Sequence, residues 1–210
     1  MNDSPRERRR QLEQDQRRSD ILGAASRIFG DRGYDGAQIA EIATDAEVSL
    51  ASVYALFEGK EEIYQAVIVS AAESIRDTVR DKVEPLSDPA ERLLTLVDAL
   101  FDCFEQNRDL LRIYARSTAG LPWRVRRTMG DSSAAIFQRF TDWVAELSRE
   151  AQSAGYLQGI HPEVFAFTLI GAVTTTATYA IESSPQEPIT SGAPAVREIC
   201  SRILRSREAR

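Results

Sequence analysis

Bond-making chemistry needs a nucleophile, a general base or a metal, and this chain offers little material for any of them. Its one histidine, His161, precedes Pro162 at an expected helix start, a place that suits capping or solvent exposure. Cys103 and Cys200 lie far apart and match no metal or redox spacing, so both are expected to be reduced and buried. The sequence holds no Ser-His-Asp set and no glycine-rich phosphate loop. The reading is therefore of a non-enzyme, with no catalytic residue, no metal and no cofactor. Residues 49–55 suggest another chemistry, that of reading a polymer's edge. Leu50, Ala51, Ser52, Tyr54 and Ala55 would form the outward side of a short helix, presenting hydroxyls and methyl-sized groups rather than guanidinium forks. Such a surface suits thymine methyls, single hydrogen bonds and groove shape in duplex DNA.

Three short helices are needed to hold that surface in place. Ile21, Ala25, Ile28 and Phe29 share one helical face, with Gly33 as the expected stop. Ile39, Ile42, Ala43 and Ala46 make a second stripe, and Ser49 can cap a third helix that turns Val53 and Phe57 inward. A helix-turn-helix needs its two helices locked by small and branched residues, here Ala43, Ala46, Val48 and Val53, so that the second can enter the major groove. Lys60 falls in the first turn of the following helix, where the helix dipole disfavours a cation. A DNA phosphate held there by backbone N–H groups and the lysine would compensate.

The block SDILGAASRIFGDRGYDGAQIAEIATDAEVSLASVYALFEGKEEI, residues 19–63, resembles the DNA-binding domain of the TetR family of transcriptional regulators. The resemblance rests on the apolar helix ending in Phe29, then Gly33-Tyr34, Ile42-Ala43, Val48-Ser49, Val53-Tyr54, Phe57 and Lys60-Glu61-Glu62. It implies phosphate contacts by Tyr54 and Lys60 and a further contact at position 38, where the family usually has Thr or Ser and this chain has Gln38. Glu41, three residues on, is placed to reach back to Gln38. In the tight turn Glu47 stands where the family usually has Gly, and Leu50 replaces a lysine common at the start of the reading helix. The expected DNA contacts are thus Gln38, Ser49, Leu50, Ala51, Ser52, Tyr54 and Lys60.

Net charge is −6, and no broad basic face balances it. Residues 1–20 carry six arginines against five acids, whereas residues 21–60 carry Arg27, Arg32 and Lys60 against six acids. Phosphate binding must then rest on a few placed groups. Residues 1–18 are expected as a flexible arginine-rich arm, residues 19–64 as the DNA-binding domain, and residues 65–210 as an effector-binding and dimerisation domain. The whole is expected to be all-α with about nine helices.

In that larger part the stripe Ile63, Val67, Ala71, Ile75 and Val79 predicts a long fourth helix ended by Pro85. Asp88-Pro89 predicts the start of a fifth, and Gly155 the end of a seventh. The family resemblance implies an effector pocket among helices four to eight and dimerisation through helices eight and nine. Candidate pocket residues are Phe101, Phe104, Tyr114, Trp123, Phe137 and Phe140, with Trp143 also available. Arg112, Arg116, Thr174, Thr175 and Thr178 are possible polar contacts. Residues 164–181 carry no charge, but five threonines and flanking Glu163 and Glu182 argue for a protein-covered helix rather than a membrane span. The N-terminus lacks a secretory apolar stretch, so the chain is expected in the cytoplasm. The expected function is a homodimeric repressor released from operator DNA by a small apolar or amphipathic ligand. A ligand-independent structural or nucleoid-associated DNA-binding protein is the alternative.

Overall fold

The computed structural model describes residues 4–118 and 124–205. Among these residues the structure is helical without strands, and nine α-helices follow in order: α1 Pro5–Gly36, α2 Ile39–Asp45, α3 Leu50–Tyr54, α4 Lys60–Val83, α5 Pro89–Gln106, α6 Arg108–Thr118, α7 Val125–Ser153, α8 Pro162–Ser183 and α9 Ala193–Arg205. Two compact units result, Met1–Ile68 and Val69–Arg210, and their boundary falls within α4.

In the first unit the described part of the expected arm is helix, continuous with α1. Local chemistry explains the difference. Ser4 and Glu7 form a reciprocal capping box, and Pro5 occupies the first helical turn, where its missing N–H costs nothing. Pairs at i,i+4 then run along the helix: Arg9–Glu13 at 3.2 Å, Gln11–Asp15 at 2.9 Å and Gln16–Asp20 at 2.8 Å. Composition alone suggested a solvated tail because these pairs become visible only once a helical register is assumed. Helical geometry breaks at Gly33, which takes φ 72° and turns the chain toward α2. Ile21, Ala25, Phe29, Ile42, Val53, Phe57 and Ile63 pack as the buried centre of this unit.

The second unit is organised on α5, which packs against α6, α7, α8 and α9. Asp88 caps it through the Ala90 N–H, and Leu93, Leu96, Val97, Leu100 and Phe101 are buried. Ion pairs fasten its outer edges, with Arg197 of α9 reaching Asp98 at 2.7 Å and Arg92 pairing with Glu150 of α7. Gly155 ends α7 with φ 92° in a Schellman turn, its own N–H on Gln152 O and the Tyr156 N–H on Ala151 O. Both cysteines are free and buried, and burial pushes the Cys200 thiol up to about 11.

Helix α8 is long and apolar enough to cross a membrane by length and composition. One side of it, with Phe165, Leu169, Ile170, Val173 and Ala177, belongs to the core of the second unit. The other side leaves Val164, Phe167, Thr175 and Tyr179 exposed, and Ile199 is exposed on α9.

A 3-10 turn, Ile189–Gly192, seats Ile189 in the core between α5 and α8. A Cβ at Gly192 would stand 2.6 Å from Thr176 Cγ2 and 3.4 Å from Phe101 Cε1. Gly192→Ala is therefore expected to cost about 1–3 kcal/mol through overpacking. Urea unfolding measures this, and an unchanged midpoint would show that the turn has slack.

Candidate functional site

The exposed end of the first unit is built from α2, the turn after it, and α3. Helix α2 ends in the same hydrogen-bond pattern as α7: the Glu47 N–H meets Thr44 O at 3.1 Å and the Val48 N–H meets Ala43 O at 2.9 Å. This Schellman geometry requires a left-handed residue, and Glu47 supplies it with φ 54° where α7 uses Gly155. Ser49 then caps α3, accepting from the Ser52 N–H at 3.1 Å. Its hydroxyl also lies 2.7 Å from the Ser52 hydroxyl, so the two form a local pair. Val53 is fully buried beneath the helix, which fixes its outward side.

That side carries Leu50 at 43 % exposure and Tyr54 at 54 %, with Ala51 and Ala55 also exposed. Gln38, at the N-cap of α2, is exposed and makes no capping hydrogen bond. Glu41, expected to reach back to it, instead accepts from Arg32 at 2.7 Å. Asp45 is likewise held by two nitrogens of Arg27, at 2.7 and 3.1 Å. Two of the acids that make this segment net negative are thus neutralised by α1.

Lys60, expected to meet a DNA phosphate, is also engaged within the protein. Its ammonium donates to Tyr34 O at 2.9 Å and Ala37 O at 3.1 Å, and it lies 4.5 Å from the centre of the Tyr34 ring. The α1 C-terminus, with its negative dipole end, offsets the unfavourable dipole of α4. Two of three ammonium donors are used in this way. The Tyr34 ring packs edge-on to Tyr64 at 5.0 Å, and Tyr64 packs edge-on to Phe29 at 5.0 Å. Burial, followed by a hydrogen bond to Glu61, raises the Tyr34 phenol above its ordinary range.

The expected effector residues occupy dissimilar places in the second unit. Phe101 is fully buried core, and Phe104 and Phe137 pack half-buried against that core. Thr175 is exposed on the outer side of α8, and Trp123 lies outside the described residues. Arg112 is paired with Asp109 at 2.8 Å. Tyr114 and Thr178 each bury a hydroxyl oxygen that has no hydrogen-bond partner among the described residues, as does Ser133. Burial raises the Tyr114 phenol, while the nearby Thr118 and Thr174 hydroxyls act in the other direction.

Phe140 lines an open groove with Arg76, Asp77, Arg80, Arg139 and Trp143. The sequence reading named Phe140 and Trp143 but not the arginines. A signal for them existed in the i,i+4 spacing of Arg76 and Arg80, but nothing in the sequence set α4 beside α7.

Two substitutions test the local account. Glu47→Gly should stabilise the protein by about 1 kcal/mol by relieving the left-handed strain, and a loss of stability on urea unfolding would contradict it. Lys60→Met should cost about 1.5–3 kcal/mol, the worth of charged hydrogen bonds in a half-buried place. A neutral effect in the same measurement would mean that the ammonium joint carries no weight.

Residues 21–67 match the family described as bacterial regulatory proteins, tetR family. The chain is 37% identical over 102 residues to the HTH-type transcriptional activator FasR of Mycolicibacterium smegmatis, covering 49% of this chain and 47% of FasR. It is 30% identical over 136 residues to the nicotine-responsive transcriptional repressor HdnoR of Paenarthrobacter nicotinovorans, covering 63% of this chain and 66% of HdnoR. The matches thus span between about half and just under two thirds of these relatives' lengths. In structure it is similar to the fatty acid degradation regulator FadR from Bacillus halodurans, with TM-score 0.78 and 18% identity over 99% of this chain and 100% of that one. It is also similar to FadR from Bacillus subtilis in complex with stearoyl-CoA, with TM-score 0.75 and 16% identity over 87% and 96%. Structural likeness at such identity establishes the fold. With the helix-turn-helix geometry of α2 and α3, these matches establish that residues 21–67 form a domain of the tetR family of bacterial regulatory proteins.

Proposed function

We propose that the chain acts as a homodimeric, sequence-specific repressor that leaves its operator when a small amphipathic ligand binds the second unit. The observation that carries this reading is the α3 surface: Leu50, Ala51 and Tyr54 stand exposed on a helix whose cap, turn and buried side are all fixed. Base edges would be read by those methyls and by the Tyr54 and Ser52 hydroxyls, with backbone N–H groups and the remaining Lys60 donor meeting phosphates. Gln38 and Ser49 complete the proposed contact set.

Dimerisation through α8 and α9 is supported by the apolar side chains left open there, Val164, Phe167, Tyr179 and Ile199. Two heads would then reach successive major grooves. The stearoyl-CoA bound by the Bacillus subtilis FadR makes acyl thioesters of coenzyme A the first effector class to test here. Residue Trp123 and the half-buried Phe104, Phe137 and Tyr114 remain proposed effector contacts. Ligand binding would shift α4, which both units share, and with it the spacing of the heads.

The test is capture of genomic DNA fragments by the full chain, followed by titration of the complex with stearoyl-CoA and with stearate. A selective complex that dissociates on adding the thioester supports the proposal. Selective binding that no ligand disturbs supports the ligand-independent architectural role, and the absence of any selective complex refutes both.

Leu50→Lys should strengthen binding to all DNA sequences and steepen the dependence of log affinity on log salt by about 0.9 per added phosphate contact. An unchanged slope would remove Leu50 from the interface.

A further inference from the structure

The amino-terminal half of α1 carries charge that the fold does not use. Residues 5–20 precede the buried stretch that starts at Ile21, and all of them except the half-buried Arg18 are exposed. The acids of this extension are occupied: Glu7 by the Ser4 N–H, Glu13 by Arg9, Asp15 by Gln11 and Asp20 by Gln16. Arg6, Arg8, Arg10 and Arg17 form no ion pair among the described residues. At about 3.6 residues per turn Arg6, Arg10 and Arg17 share one side of the helix, and Arg8 lies on the opposite side. The same side continues farther along α1 as Ile21 and Ala24, which are fully buried. The arginine stripe is therefore the overhang of the side by which α1 lies on the rest of the first unit.

The root of this overhang touches the end of the proposed reading helix. The Arg18 guanidinium donates to Leu56 O at 3.5 Å and lies 4.4 Å from the centre of the Phe57 ring, and both residues follow closely on α3. Like charges at i,i+4, as at Arg6 and Arg10, weaken a helix, and an exposed helix has no packing to offset that cost. A row of anions along the stripe would reverse the sign. Arg10 and Arg17 are separated by about 10.5 Å along the helix axis, which is about three steps of about 3.4 Å along one DNA strand. Leu12 is the extension's one large exposed apolar residue, so the apolar side that a membrane surface would take is missing.

We infer that Arg10 and Arg17 hold two phosphates of the duplex beside the segment that α3 reads, which makes the extension a sequence-independent clamp. The inference rests on the DNA-binding reading above and divides the work within it. Helix α3 supplies selectivity, and the extension supplies most of the affinity that varies with salt. In the proposed dimer four such contacts contribute a slope of about −3.6 in log affinity against log salt, at about 0.9 per phosphate.

Titration of a captured genomic fragment with the full chain at several salt concentrations tests it, using the double variant Arg10→Gln/Arg17→Gln. Glutamine nearly matches arginine in helix propensity, so helical circular dichroism and the thermal midpoint should stay unchanged. Affinity at low salt should fall at least about 10-fold, and the slope should become shallower by about 3–4. The preference for the fragment over unrelated DNA should remain the same. Arg10→Lys/Arg17→Lys should keep the slope, because charge rather than guanidinium shape sets it, and Arg8→Gln on the opposite side should leave it unaltered. An unchanged slope in the glutamine pair, or an equal change in Arg8→Gln, would overturn the clamp. A loss of preference in the glutamine pair would overturn the division of work between α3 and the extension. Failure of the unaltered chain to bind any fragment selectively would refute the broader reading instead.

Discussion

The Lys60 ammonium, seated on the carbonyls of Tyr34 and Ala37, is the joint on which the first unit depends. It ties together the end of α1, the approach to α2 and the start of α4. Those three segments meet because Gly33 breaks α1 at a positive φ and delivers Tyr34 to the place where a cation can cover both its carbonyl and its ring. The lysine that was a problem in the first turn of α4 becomes a solution for the last turn of α1. Helix α3, the proposed reading helix, has only five residues and little stability of its own. Its orientation is inherited from this joint, from the Glu47 turn and from the buried Val53 beneath it.

Charge is used sparingly throughout this end of the molecule. Arg27 and Arg32 are spent on Asp45 and Glu41 rather than offered to a phosphate. Arg18 lies over the Phe57 ring at 4.4 Å. The exposed face of α3 therefore offers shape, methyls and hydroxyls, with few fixed charges to bind duplex DNA indiscriminately.

Much of this was legible in the sequence, because the signals were local. Ser49, Gly155, Asp88-Pro89 and the apolar stripes each specify a cap, a stop or a buried face within a few residues, and the helices follow them. Glu47 was singled out only as standing where the family usually has Gly, and the structure puts it in the left-handed conformation despite its side chain. What escaped the sequence were the pairings between distant segments. Nothing local says that Lys60 finds Tyr34, that Glu41 turns to Arg32, or that Arg76 and Arg80 face Arg139 and Trp143. The amino-terminal helix escaped for the opposite reason: its stabilising pairs are local, but arginine-rich composition reads equally as a solvated tail. Aromatic residues in the second unit were ambiguous by nature, since Phe101 and Phe140 look alike in sequence, yet one is core and the other lines a groove.

The central claim is that a rigid, almost neutral helix does the reading, with only a few contacts to phosphate. Its most direct test is the salt dependence of affinity for a captured genomic fragment. The account predicts a sequence-selective complex whose log affinity falls with log salt by a slope of about −5 or shallower for the proposed dimer, at about 0.9 per phosphate neutralised. A slope near about −10, as for proteins that rely on many cationic contacts, would contradict it.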